Sequence, residues 1–244
     1  MDSEPRILVI IPAHNEAASI GEVIADIRAS LAADIVVVDD GSSDGTARIA
    51  RDAGVEVLQL PFNLGIGSTM QTGYKFARRE GYDIAVQTDG DGQHKAAHIK
   101  ELLAPIIAGE SDMVVGSRYL SPESYKGPFG RRAGTALFSW VLSVLLRQRL
   151  TDATSGFRAV NRELIELFAR DYPGDYPEVE ALLTAHMARL RVREVPVAMR
   201  PRGGGRSSIT NFHSVYYMVK VFLALMVVIS RRRAPRSGQE VTPR

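Results

Sequence analysis

Ala85-Val86-Gln87-Thr88-Asp89-Gly90-Asp91-Gly92-Gln93-His94 decides how the chain is read. An apolar run over residues 84–86 stops at two carboxylates one residue apart. Each is followed by glycine, and an amide and an imidazole come next. A buried strand ending this way puts charge at the carboxyl end of a sheet, where open α/β folds bind ligands. Two carboxylates on so short a loop suit one divalent cation, with Mg2+ keeping waters and taking its remaining ligands from a substrate's phosphates. Asp and Gly are also ordinary turn residues, so on this stretch alone a polar turn stands level with a metal loop.

Upstream, the aliphatic run 6–11 reads as a strand buried on both faces. Pro12 stops it, and Ala13-His14-Asn15-Glu16 forms a loop. A helix is expected over residues 16–31, with Ile20, Val23, Ile24, Ile27 and Leu31 on one face. A second strand, 34–38, ends in Asp39-Asp40-Gly41-Ser42-Ser43-Asp44-Gly45-Thr46, where Asp44 is a candidate N-cap for a helix over 46–53. A third strand spans 55–60, and Asn63-Leu64-Gly65-Ile66-Gly67 opens a helix to residue 80. The fourth strand, 83–88, enters the opening stretch. A helix over 94–108 and a strand over 113–115 follow. Strands alternating with helices describe a mostly parallel, Rossmann-like sheet flanked by helices. Three of the strand-end loops, Pro-Ala-His-Asn-Glu, Asp-Asp-Gly-Ser-Ser-Asp-Gly and Asp-Gly-Asp, then fall on one edge and together describe a nucleotide site. The glycines at 65 and 67 lack the full dinucleotide fingerprint, and no P-loop lysine motif is present.

The 244 residues are ordinary in hydrophobic content (45%) and charge (24%), which fits a globular chain with a substantial core. With no cysteine there is no disulfide and no Cys-ligated zinc or iron–sulfur cluster. The acidic start Met1-Asp2-Ser3-Glu4-Pro5 does not read as a signal peptide. Charge is unevenly spread. Residues 1–112 carry 9 Lys and Arg against 18 Asp and Glu, a net of −9; the remainder carries 21 against 10, a net of +11; the sum is the overall +2. An acidic first half suits a metal–nucleotide site, and a basic second half suits an anionic partner.

In that second half, residues 133–146 carry no charge and end in Arg147-Gln148-Arg149. A polar loop at 151–158 leads into a helix over 162–169. Another helix opens at Tyr176-Pro177-Glu178-Val179-Glu180, and a strand is expected over 192–199. Residues 200–208 are basic and Gly-rich. The stretch 212–229 is apolar apart from His213, Ser214 and Lys220, and precedes Arg231-Arg232-Arg233. A spanning helix needs about 20 apolar residues. The first stretch is too short, and the second carries Lys220 and would place its arginines against the positive-inside tendency. Two amphipathic helices on a membrane surface, with arginines on lipid phosphates, fit better. Core or oligomer-interface helices remain the alternative, nearly level for the first stretch.

Ile11-Pro12-Ala13-His14-Asn15-Glu16, the 38–46 motif, Asn63-Leu64-Gly65, Asp89-Gly90-Asp91 with Gln93-His94, Gly116-Ser117-Arg118-Tyr119 and Thr154-Ser155-Gly156-Phe157-Arg158 together resemble family 2 glycosyltransferases. The likeness covers roughly residues 6–209 and is strongest to the dolichol-phosphate or polyprenyl-phosphate mannosyltransferase-like branch. It implies the A-type glycosyltransferase fold. A catalytic domain would span 1–209 with an interfacial helix at 133–147, followed by an interfacial helix over 210–233 and a disordered tail at 234–244. Pro12, His14, Glu16, Asp40 and Gly41 would line the base and ribose. Asp89, Gly90 and Asp91 would hold the donor diphosphate through Mg2+ or Mn2+, with Gln93 as a further ligand. Arg118, Arg131, Arg132 and Ser155 would hold the acceptor phosphate, and Arg202 and Arg206 would close over the donor. Where many relatives have lysine after Asn-Leu-Gly, this chain has Ile66, and Lys95-Ala96 follows Gln93-His94 in place of Asp-Pro or Pro-Pro.

The activity implied is inverting, metal-dependent transfer of a hexosyl unit from a nucleotide diphosphate sugar (GDP-mannose, UDP-glucose or UDP-GlcNAc) to polyprenyl phosphate. The place implied is the cytoplasmic side of the cell membrane, with the chain peripheral or monotopic. A small membrane-protein partner or a homo-oligomer is compatible, and nucleic acid is not expected. Three rivals stand. A nucleotidyltransferase would not need long apolar helices flanked by arginines. A glycosyltransferase acting on a hydroxyl would require Glu178 or Glu180 as base, otherwise helix N-terminal acids favoured by the dipole. A non-catalytic nucleotide-sugar-binding module would tolerate loss of Asp91.

Overall fold

The computed structural model describes residues 4–120, 129–174 and 177–200, with the backbone alone over 129–134 and at 138. A second unit, Ser207–Arg244, lies outside the described residues, and with it the expected helix over 210–233 and the tail. In chain order the elements are β1 (Ile7–Ala13), α1 (Ile20–Ser30), β2 (Asp34–Asp39), α2 (Thr46–Asp52), β3 (Glu56–Gln59), α3 (Ile66–Arg79) and β4 (Ile84–Gln87). A 3-10 turn (Ala96–His98), α4 (Ile99–Ile107), β5 (Met113–Ser117), α5 (Phe129–Leu146), β6 (Arg158–Asn161), α6 (Arg162–Arg170), α7 (Pro177–Met187) and β7 (Val192–Pro196) complete them.

The strands form one seven-stranded sheet in the order β3-β2-β1-β4-β6-β5-β7. All neighbouring pairs run parallel except those of β6, which is antiparallel to both β4 and β5. The aliphatic runs of β1 and β2 are buried on both faces, as strands covered on each side by helices must be. On one face Val9, Ile11, Val37 and Val86 pack with Ile20, Ile24 and Ile27 of α1 and Ile99 and Leu102 of α4. The alternate residues meet α3, where Ile10 touches the glycine at 73. There Tyr74 packs its ring 5.1 Å from Phe168 of α6 and 5.2 Å from Tyr172. The strand order turns at β1, which lies between β2 and β4. That switch point opens a crevice at the carboxyl edge.

Several boundaries differ from the sequence reading. The helix expected from residue 16 starts at Ile20, because Ser19 and Ile20 both donate their N–H to Glu16 O in a preceding turn. The helix expected over 94–108 begins with a 3-10 turn and becomes α-helical at Ile99. Gly45, at φ 91°, occupies the N-cap position of α2 in place of Asp44. The Asp44 carboxylate still accepts the Thr46 N–H, at 3.1 Å. Strand β7 stops at Pro196 and does not reach residue 199. Strand β6 is not anticipated from the sequence: its first residue, Arg158, reads as the end of a polar loop, and the three that follow are too few to show alternation.

Helix α5 is built against the usual pattern. Its inward side carries Thr135, Ser139, Leu142 and Leu146, while Leu137, Trp140 and Val144 are 51%, 65% and 60% exposed. The hydroxyls have inward partners: Ser139 Oγ accepts Ala153 N–H and Ser143 Oγ accepts Leu150 N–H. Among the described residues no helix is long and apolar enough to cross a membrane.

Candidate active site

The loop after β1 is shaped by the loop after β2. Asn15 takes φ 56°, a left-handed conformation that its short amide tolerates better than most side chains do. Its N–H donates to Ser42 Oγ at 2.9 Å, and its Oδ1 accepts Ser43 N–H at 2.9 Å. The next two amides are also met from β2's loop, Glu16 N–H by Thr46 Oγ1 and Ala17 N–H by Asp44. His14 Nδ1 lies 2.8 Å from Asp40 O. A carbonyl only accepts, so Nδ1 carries the proton, and Nε2 accepts from Asn15 Nδ2 at 3.1 Å. Pro12 is buried within β1, and His14 is exposed. Asp40 is buried, and its two carboxylate oxygens accept Leu64 N–H at 2.7 Å and Gly65 N–H at 3.0 Å. Gly41 sits at φ 66°, where a Cβ would lie 2.6 Å from the Phe62 carbonyl carbon. Asp40 and Gly41, expected at the nucleotide, therefore also fix the 62–65 loop to the end of β2.

Across the crevice, the loop after β4 is tied to α1. Ser19 donates from Oγ to Gly90 O at 2.7 Å, and the same Oγ lies 3.2 Å from Glu16 Oε2. Asp91 Oδ1 accepts Gln93 N–H at 3.0 Å, and Gln93 O accepts Arg200 N–H at 2.9 Å. His94 is buried and stacked on Phe157, ring centres 4.7 Å apart and 14° from parallel. Burial pushes its pKa down to about 4, with the Asp91 charge opposing. The ring is therefore neutral near pH 7, and Nδ1 accepts Asp89 N–H at 3.3 Å. Its 3.8 Å approach to the Asp89 carboxylate is accordingly no ion pair. A cavity of about 260 Å³ opens here, lined by Glu16, Glu22, Asp26, Asp91 and Arg200 among others. Arg200 reaches Asp26 at 3.1 Å.

Among the described residues no group of three or more His, Cys, Asp and Glu is arranged to hold a metal. Asp89 and Asp91 nonetheless fit Mg2+ or Mn2+, which bind one or two carboxylates together with substrate phosphates and not a closed protein cage. Both side chains are only partly buried.

The third wall comes from β5, β6 and β7. Arg118 follows β5, and its Nε and Nη2 each reach the Asp152 carboxylate at 2.6 Å, while Nη2 also donates to Thr154. Asp152 is fully buried. Glu194 of β7 accepts Thr151 N–H, Thr151 Oγ1–H and Asp152 N–H, each at 2.8 Å, and burial holds its carboxyl pKa above the usual value. Arg118, expected at the acceptor phosphate, thus has its planar fork on Asp152. Ser155, also expected there, is buried with its Oγ accepting Phe157 N–H at 3.3 Å. Arg158 is 1% exposed and donates from Nη1 to Glu178 O at 3.2 Å and from Nη2 to Ser155 O. Burial pushes the Glu178 carboxyl pKa up; Arg158 opposes and the Asp89 charge adds to the rise. The side chains of Arg131 and Arg132, at the start of α5, and all of Arg202 and Arg206 lie outside the described residues.

Sequence reasoning missed Ser19, Asp39, Asp152, Arg158 and Glu194. Asp39 carried a signal, since strand alternation in the Asp-Asp doublet turns one acid inward; both its carboxylate oxygens are buried without a hydrogen-bond partner among the described residues. Arg158 closes the Thr154-Ser155-Gly156-Phe157-Arg158 motif, while Ser19, Asp152 and Glu194 are paired with residues distant in the chain and leave no local pattern.

A switch-point crevice lined with carboxylates marks the ligand site of an open α/β sheet. Residues 8–168 match the family model described as glycosyl transferase family 2. The chain belongs to that family and is a glycosyltransferase. It is 31% identical over 215 residues to the UDP-N-acetylglucosamine–dolichyl-phosphate N-acetylglucosaminyltransferase of Methanococcus voltae, covering 80% of this chain and 86% of that one. It is 32% identical over 221 residues to the undecaprenyl-phosphate mannosyltransferase of Micrococcus luteus, covering 84% and 88%. The expected A-type fold is matched by glucosyl-3-phosphoglycerate synthase of Mycobacterium tuberculosis, crystallised with Mn2+, UDP and glucosyl-3-phosphoglycerate. There the TM-score is 0.70 at 24% identity, over 96% of this chain and 82% of that one.

Proposed function

We propose that this chain transfers a hexosyl unit from a nucleotide diphosphate sugar to polyprenyl phosphate, with inversion, at the cytoplasmic face of the membrane. The observation that carries the reading is the meeting of Asp89 and Asp91 with the β1 and β2 loops at one crevice, in a chain similar over most of its length to polyprenyl-phosphate transferases. Asp89 and Asp91 would hold Mg2+ or Mn2+, and the metal would supply neutralisation of charge on the leaving diphosphate. Neutral His94 fixes the Asp89 amide, and Ser19 fixes Gly90. Pro12, His14, Glu16, Asp40 and Gly41 border the nucleoside, and Gln93 adjoins the metal.

The acceptor phosphate is anionic near neutral pH and needs no strong base. Arg131 and Arg132 bind it and Arg202 and Arg206 bind the donor phosphates, because guanidinium groups take phosphate oxygens in pairs. Arg118, its guanidinium neutralised on Asp152, lends further N–H groups to the acceptor phosphate, and Ser155 shapes the turn at 155–157. Leu137, Trp140 and Val144 rest in the membrane interface.

The test incubates the protein with vesicles containing polyprenyl phosphate, Mn2+ and, in separate arms, labelled GDP-mannose, UDP-glucose and UDP-GlcNAc. Lipid-extractable label from one donor is expected; none from any donor overturns the reading. Transfer to a hydroxyl is favoured by one observation, the half-buried Glu178 at the start of α7, whose carboxyl pKa desolvation raises. Glu178→Gln retains transfer to a phosphate acceptor and abolishes transfer to a hydroxyl.

A further inference from the structure

We infer that Gly156 and Arg158 are positioning residues for Asp89. The Arg158 guanidinium fixes the turn at Ser155 and Gly156, and that turn seats the Asp89 carboxylate. The inference rests on the proposed role of Asp89 at the donor metal.

Arg158 lies in the one antiparallel strand, opposite Gln87 of β4 and Val115 of β5. A guanidinium held inside a sheet is unfavourable unless hydrogen-bonded. Its Nε has no hydrogen-bond partner among the described residues, and its Nη atoms go to the main-chain carbonyls of Ser155 and Glu178. The first of these carbonyls belongs to the Ser155–Gly156 turn, which faces the Asp89 carboxylate closely enough that a Cβ at 156 would lie 3.2 Å from its Oδ1. A side chain needed only to fill space would be better replaced by an apolar one. Arg158 reaches instead to a turn carbonyl and to a carbonyl in the first turn of α7, and pins both to the start of β6.

Gly156 gives the independent sign. Its φ is not left-handed, so the backbone there does not require glycine. A Cβ at 156 would stand 3.2 Å from Asp89 Oδ1, 3.5 Å from Oδ2 and 3.3 Å from Gln87 Nε2. The atoms a larger residue would meet first are therefore the carboxylate of Asp89 and the amide beside it. The next residue, Phe157, turns to the other face of the sheet and stacks on His94, which accepts the Asp89 N–H. Residues 156–158 thus set the side chain, the main chain and the surroundings of Asp89.

The experiment compares the full-length wild type with Gly156→Ala, Arg158→Lys and Arg158→Met. Calorimetry measures binding of UDP and of GDP with Mn2+. Sugar transfer gives kcat, KM and the Mn2+ half-saturation, and thermal unfolding gives Tm. A displacement of 1 Å at a reacting group can cost about a hundredfold in rate, so a shift of about half an ångström should cost about tenfold. Gly156→Ala is expected to keep or raise Tm, to need about tenfold more Mn2+, and to lose about tenfold in kcat with an unchanged acceptor KM. Arg158→Lys should restore part of what Arg158→Met loses. Wild-type Mn2+ dependence and nucleotide affinity in Gly156→Ala, or Arg158 losses that follow the folded fraction alone, would overturn the inference and leave the proposed function intact. A wild type that binds neither nucleotide with Mn2+ would overturn both.

Discussion

The loops after β1, β2 and β4 are held by short side chains that meet main-chain amides and carbonyls, whereas the segments after β5 and before β6 are held by charged side chains, Asp152 and Arg158 among them fully buried. On the first side Asn15, Ser19, Ser42, Asp44 and Thr46 act at 2.7–3.0 Å. On the second, Arg118 with Asp152, Glu194 with the 151–152 amides, and Arg158 with two carbonyls do the same work. Short polar side chains hold a loop close to the sheet at little desolvation cost. Buried ions cost more to desolvate and lose more when one partner is removed. The acidic side should therefore fail in chemistry first, and the basic side in stability.

The sharpest test of that contrast is Asp91→Ala. Loss of a metal carboxylate should lower transfer about a thousandfold or more, while Tm stays near the wild-type value. Sugar transfer and thermal unfolding on one preparation check it; retained transfer would break the metal assignment. Asp152→Ala should do the reverse. It leaves the Arg118 guanidinium without its carboxylate and should cost about 3–5 kcal/mol of stability by urea titration. A loss under about 1 kcal/mol would place the pair with ordinary surface ion pairs.

His94 sits where the two sides meet, and its pH dependence sharpens the comparison. Its folded pKa, about 4, lies below the unfolded value near 6.5. Between those values the unfolded chain holds the extra proton, so stability is full above about pH 6.5 and falls as pH drops toward 4. The contribution is at most about 3 kcal/mol. His94→Gln, whose amide oxygen accepts the Asp89 N–H, should flatten that part of the curve relative to wild type. An unchanged slope would mean that the ring is protonated in the folded state.

The smallest effect on stability is expected on α5. Replacing Leu137, Trp140 and Val144 together with serine removes exposed side chains and should shift stability by only about 0.5 kcal/mol each or less. Sedimentation with anionic vesicles should nevertheless weaken. Unaltered vesicle binding would remove these residues from the interface.

Much of the acidic side was legible in the chain. Continuous aliphatic runs mark strands covered on both faces, and Gly, Asp, Ser and Asn mark the turns that end them. The 38–46 motif, however, reads as a ligand site, and the fold gives many of its polar atoms to neighbouring amides. On the basic side Arg118 and Ser155 were singled out for an anion, while Asp152 and Glu194, which fix that corner, were passed over. An ion pair made across 34 residues leaves no periodicity to find.

The sequence by itself determined the alternating α/β order, the carboxylates at the strand ends and the family, because these depend on local runs and ordered motifs. Only the tertiary structure decided that β6 runs antiparallel, that α5 turns its hydroxyls inward, and that the Gly156 turn abuts Asp89. Each of these depends on which distant groups a buried polar atom meets. A buried guanidinium or hydroxyl is stable only where the fold supplies its partners, and those partners come from other strands.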